Sequence, residues 1–178
     1  MAAADKQFAI ALPPAGLHVD AWSESPDVDG RRPDADTLSW LGETGLLTRR
    51  LRKLCGNRFN MRVLHDQPCT VSSGLHREVL LCCDDLPCIY AITDVPADTL
   101  TGHPWLAELG DESLGEALQS RTDITPSVSR SRFAYALLDS RHLPAASAGP
   151  VWARRSEFHI GNNALCVTEV FLADLSDC

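Results

Sequence analysis

Ala164-Leu165-Cys166-Val167-Thr168-Glu169-Val170-Phe171-Leu172 is the most apolar run near the C-terminus, and a carboxylate stands in its middle. Read as a strand, it puts Leu165, Val167, Glu169 and Phe171 on one face and Cys166, Thr168, Val170 and Leu172 on the other. Arg154 to Ile160 reads as its partner, joined through Gly161-Asn162-Asn163 in a hairpin. A three-residue loop pairs Ile160 with Ala164 and sets Arg155 opposite Glu169; a two-residue loop brings Arg154 or Ser156 there instead. An ionised carboxylate among three large apolar side chains needs an arginine, a ligand or an opening to water to offset several kcal/mol of desolvation.

Outward from this hairpin the same signals recur. Arg77 to Cys83, a turn at Asp84-Asp85-Leu86-Pro87 and Cys88 to Thr93 form a second hairpin. Phe59 to Leu64 and Arg132 to Leu138 are further strands. Asp36 or Thr37 is placed to cap a helix carrying Leu38, Trp40 and Leu41, and a second helix runs from about Leu46 to Cys55 before Gly56-Asn57. Pro96 to Leu109 is loop and helix, and Ser113 to Leu118 is a short helix capped by Asp111 or Ser113. Hairpin-linked strands with helices grouped before and between them predict one α+β domain on an antiparallel sheet, not a doubly wound parallel fold. Residues 1–35, rich in Pro, Asp and Gly, read as an irregular N-terminal arm ahead of a domain at 36–178.

Charge and composition narrow the function. A net charge of −8 over 178 residues argues against nucleic-acid binding. The basic cluster Arg49-Arg50-Leu51-Arg52-Lys53 sits on a helix whose Leu47, Leu51 and Leu54 mark the apolar side, so its cations read as a solvated face. No apolar run approaches the roughly 20 residues of a membrane span. The stretch Phe8 to Leu12 lacks the flanks of a secretory signal, so the chain reads as cytoplasmic, with no stable membrane insertion. The seven cysteines include no C-x2-C pair, and the six histidines are scattered; buried cytosolic thiols are expected rather than metal sites or disulfides. Walker, H-E-x-x-H and G-x-G-x-x-G motifs are missing.

Arg77 ends the apolar row Arg77, Val79, Leu81 and Cys83, much as Glu169 interrupts its own. Two readings stand: an arginine reaching for water, or one held for an anionic ligand.

In order along the chain, Gly45-Leu46-Leu47-Thr48-Arg49-Arg50-Leu51, Arg77-Glu78-Val79-Leu80-Leu81-Cys82, Gly110-Asp111-Glu112-Ser113-Leu114-Gly115, Trp152-Ala153-Arg154-Arg155-Ser156 and Thr168-Glu169-Val170-Phe171-Leu172 resemble the chorismate pyruvate-lyase family. The resemblance runs from about residue 36 to 175. It implies an antiparallel sheet with helical flaps over an internal ligand pocket, and conversion of chorismate to 4-hydroxybenzoate and pyruvate on the way to ubiquinone. It implies no metal or organic cofactor, and we expect a monomer. It further implies that Arg77 receives the ring carboxylate, that Leu47 and Leu114 line the pocket, and that Glu169 lies near the ring hydroxyl. Arg77 and Glu169 are thus the candidate catalytic residues. Arg155 or Arg154 is placed to hold the second carboxylate of chorismate. The competing readings are a small-carboxylate sensor like the effector domains of transcription regulators, and a lyase for another enolpyruvyl compound.

Overall fold

The computed structural model describes residues 16–44, 47–68, 74–121, 127–139, 143, 149–172 and 175. Gly45, Leu46, Cys69, His142 and Cys178, which figure in the sequence reading, lie outside them. Seven strands, β1 (Leu17–His18), β2 (Phe59–Pro68), β3 (Leu75–Cys83), β4 (Leu86–Val95), β5 (Ser127–Leu138), β6 (Gly149–Ile160) and β7 (Asn163–Phe171), form one antiparallel sheet in the order β1-β5-β6-β7-β4-β3-β2. The helices are α1 (Ala35–Leu41), α2 (Leu47–Cys55), α3 (Ala97–Gly102) and α4 (Leu114–Ser120), with 3-10 turns at Gly56–Arg58 and Pro104–Glu108. The α+β antiparallel class expected from the hairpin pattern is what the chain adopts. Residues from the expected N-terminal arm join the sheet: Leu17 and His18 pair with Leu138 and Leu137, and Ser23 bridges to Phe133.

Alternation sorts the sheet into two apolar faces. On one, Val79, Leu81, Ile89 and Phe171 pack beneath Trp40, Leu41, Leu47 and Leu51 of α1 and α2, while Phe158, Leu165 and Val167 meet Leu106 and Leu118. On the other, Leu80, Tyr90, Ile92, Ala134, Ala153 and Val170 are closed over by Leu17 and Leu143, with Val19 and Trp22 alongside. Each side chain buried this way contributes about 1.5–3 kcal/mol of burial free energy, which is why period-two apolar runs specify the sheet.

The β6–β7 turn is the two-residue Gly161-Asn162, with Gly161 at φ 60°, a conformation that favours glycine. Ile160 therefore pairs with Asn163, not Ala164, and Glu169 faces Arg154. The three-residue loop with Arg155 opposite Glu169 is corrected: Asn163 enters the strand, and one residue of register exchanges the two arginines.

Local chemistry explains other departures. Asp34, not Asp36 or Thr37, caps α1: its carboxylate accepts from the Thr37 amide at 2.8 Å, which lowers its pKa. On α2 the buried stripe is Leu47, Leu51 and Cys55, while Leu54 is exposed. The cations of α2 are more than a solvated face. Arg50 stacks on Trp40 at 3.9 Å and donates to the Ser39 carbonyl, and Arg52 lies over Phe59 and pairs with Glu116. Cys55 and Cys83 form a disulfide, correcting the expectation of thiols alone, with Cα atoms 5.6 Å apart. Cys82, Cys88 and Cys166 are buried free thiols. No helix among the described residues is long and apolar enough to cross a membrane.

Candidate active site

Between the sheet and the α2 and α4 segments lies a cavity of about 50 Å³, whose lining includes Leu47, Arg77, Val79, Leu114, Val167 and Glu169. The register sets its dimensions. Arg77 pairs with Thr93 and Thr93 with Val167, so Arg77 and Glu169 stand two strands apart and two residues out of line. Strand spacing and rise put their Cα atoms roughly 12 Å apart. Both side chains line the cavity.

Arg77 does not reach for water. It is 2% exposed and fixed by three partners: Nη1 ion-pairs with Asp66, its register neighbour on β2, while Nη2 donates to the carbonyls of Gly110 at 2.7 Å and Glu112 at 3.0 Å. The carbonyls belong to the segment leading into α4. These bonds use three of the five guanidinium N–H donors. Among the described residues, the second oxygen of Asp66, Oδ1, is buried without a hydrogen-bond partner.

Glu169 is buried and faces Arg154. Both donors, Nε at 2.9 Å and Nη2 at 2.7 Å, fall on the single oxygen Oε2. Arg154 Nη1 donates to the carbonyls of Leu41 at 3.2 Å and Glu43 at 2.5 Å. Among the described residues Oε1 of Glu169 accepts no hydrogen bond. The arginine thus meets the charge cost that the sequence raised, and one lone-pair-bearing oxygen is left over.

Leu47 opens α2, and Leu114 opens α4 behind the cap Ser113, whose hydroxyl oxygen accepts from the Glu116 amide at 3.1 Å. Both leucines line the cavity. Arg155 does not. It projects from the opposite face, donates through Nε to Thr168 Oγ1 at 3.0 Å and lies over the Trp22 ring at 4.5 Å; burial lowers its pKa.

Asp66 and the Gly110 and Glu112 carbonyls were missed as parts of this site. Arg154 was in view as one of two adjacent arginines. Asp66 had a usable signal only with the β2–β3 register, and the carbonyls had none.

On the far face, His76 sits between two carboxylates, with Nδ1 to Asp94 at 2.7 Å and Nε2 to Glu78 at 2.9 Å, while the Tyr90 hydroxyl donates to Glu78 at 2.7 Å. The hydrogen bonds to Asp94 and Glu78 raise His76 to about 10. Burial pushes the Cys166 thiol up to about 12.

A family model for chorismate lyase matches residues 17–177 of this sequence. The chain belongs to the chorismate lyase family. The match takes in residues 17–35 as well as the segments that carried the resemblance. A protein named "Probable chorismate pyruvate-lyase" from Methylococcus capsulatus is 40% identical over 155 residues, 75% of this chain and 93% of that one. One of the same name from Psychromonas ingrahamii is 32% identical over 174 residues, 83% of this chain and 88% of that one. Membership makes the chain a lyase that binds a small molecule. Among solved structures, the PhnF C-terminal domain covers 74% of the chain and is itself covered to 89%, with a TM-score of 0.53 and 17% identity. A second, described as the ligand-binding domain of a GntR-family transcriptional regulator from Bordetella bronchiseptica, covers 65% of the chain and is covered to 86%, with a TM-score of 0.51 and 10% identity. At such identities the likeness concerns the fold.

Proposed function

We propose that this chorismate lyase family member eliminates pyruvate from chorismate to give 4-hydroxybenzoate, with the ligand held between Arg77 and Glu169. The observation that carries the reading is one cavity with a buried arginine at one end and, at the other, a carboxylate whose Oε1 has no partner among the described residues. In this reading the remaining guanidinium donors of Arg77 take the ring carboxylate, and Oε1 accepts from the ring hydroxyl. Leu47 and Leu114 pack the ring faces. Arg155, on the other face, has no part in it, and Arg154 is committed to Glu169.

Chorismate needs little covalent help. In a cyclic path the hydrogen on C4 passes to the enolpyruvyl methylene as the ether bond at C3 breaks; the ring becomes aromatic and pyruvate leaves. The residues contribute orientation, exclusion of water and a fixed field. A hydroxyl held by Glu169 sets the face of C4 toward the methylene. A stepwise path would use the same carboxylate as base at C4, so positioning is the role common to both. The reading makes the chain a cytoplasmic monomer whose product feeds ubiquinone synthesis.

The test is to mix the purified protein with chorismate, without added metal, and follow both products by chromatography. Equal amounts of 4-hydroxybenzoate and pyruvate are expected. Binding without turnover would instead make this a carboxylate sensor, and turnover only of another enolpyruvyl compound would replace the substrate.

A further inference from the structure

Arg154 joins two parts of the molecule that the cavity lies between. Through Nε and Nη2 it holds Oε2 of Glu169, and through Nη1 it holds the carbonyls of Leu41 and Glu43. Leu41 is the last residue of α1, where helix carbonyls have no partner inside the helix. The amides of Gly42 and Glu43 turn back to Leu38 and Trp40, and the Leu41 carbonyl is left to the arginine. Leu47, four residues after Glu43 in the sequence, lines the cavity at the start of α2. One buried side chain therefore ties the cavity carboxylate to the backbone of the α1–α2 cover. A guanidinium suits this because its fork serves acceptors in two directions at once, which a lysine ammonium does poorly.

We infer that Arg154 is a positioning residue that aims Glu169 Oε1 at the ligand hydroxyl and latches the α1–α2 cover over the filled cavity. The inference rests on the proposed function and deepens it: hydroxyl recognition and product retention run through the same side chain. With Arg154 removed, Glu169 loses the two bonds that fix Oε2, so Oε1 is no longer held toward the ligand hydroxyl. The hydroxyl then gains nothing over a plain ring, while the freed carbonyls loosen the cover. An arginine that only stabilised the fold would weaken every ligand alike.

The experiment uses the full chain with Arg154→Met and Arg154→Lys, and compares equilibrium binding of 4-hydroxybenzoate and benzoate with the release rate of 4-hydroxybenzoate. Wild type is expected to prefer the hydroxylated ligand by tenfold or more, in the range of a hydrogen bond to a charged group (roughly 1.5–3 kcal/mol). Arg154→Met is expected to bring the two affinities within about twofold and to release product at least tenfold faster. Arg154→Lys keeps a cation beside Glu169, so most of the preference survives while release still accelerates. An unchanged preference in the Met variant overturns the positioning role, and an unchanged release rate in the Lys variant overturns the latch. Should the Met variant not fold, the Lys variant alone decides: wild-type release together with wild-type preference ends the proposal. A wild type that binds the two ligands equally defeats the placing of the ring hydroxyl at Glu169 in the proposed function, whereas a wild-type preference kept by both variants defeats only this inference.

Discussion

At Glu169 both bonds from Arg154 fall on one oxygen, and that asymmetry governs what substitution does. Glu169→Gln keeps the shape but leaves Arg154 without a negative partner, and Arg77→Met removes the only cation among the described residues of the cavity lining. Each is expected to lower kcat/KM for chorismate by about tenfold to a hundredfold, the range for one charge-assisted hydrogen bond, in steady-state assays. Activity undiminished in both would remove these residues from the site. His76 makes a different prediction, about stability. Its folded value of about 10 lies above the ordinary 6.5, so the charged ring between Asp94 and Glu78 stabilises the fold fully below about pH 6.5. That contribution is lost as pH climbs through 10. The Tm advantage of wild type over His76→Gln should shrink steadily from pH 6 to pH 10; an advantage that grows with pH would contradict the network. The sequence showed Arg77 and Glu169 as charges inside apolar rows, because alternation is visible in one dimension. It did not show Asp66 or the carbonyls of Gly110 and Glu112, because these reach Arg77 from β2 and from the segment before α4.

Among the elements, α2 closes the cavity together with the start of α4. Its buried stripe packs Leu47 and Leu51 against Val79 and Leu81 of β3, and the Cys55–Cys83 disulfide binds its C-terminal end to the same strand. Closing a 28-residue separation is worth about 2–4 kcal/mol in the chain-entropy account. Urea unfolding with reductant is therefore expected to show a stability lower by about that much than unfolding without it. Thiol titration of the unfolded, unreduced chain should find two fewer thiols than after reduction; equal counts would mean no bridge. In a compartment that keeps thiols reduced, α2 then relies on Leu47, Leu51, the Arg50–Trp40 stack and the Arg52–Glu116 pair. The helix itself was legible from its leucine spacing. The bridge was not, since 28 residues of sequence say nothing about two Cα atoms standing 5.6 Å apart.

For the molecule as a whole, an anionic chain is proposed to take a dianionic substrate. The net charge of −8 repels chorismate at long range, while Arg77 attracts it only inside the cavity, where salt screens little. Raising ionic strength from about 0.01 M to 0.15 M shortens the Debye length from about 30 to 8 Å. The KM for chorismate should accordingly fall over that range, and a KM that rises with salt would point to a cationic approach path. Period-two alternation, which is local, was enough for the α+β antiparallel class, the hairpins and the recognition of two charges standing in apolar rows. Which arginine meets Glu169, what fixes Arg77 and which face Arg155 joins were decided only by the tertiary structure. Those outcomes hang on a single residue of register at Gly161-Asn162 and on segments brought together from distant parts of the chain, and the pattern of any one strand carries neither.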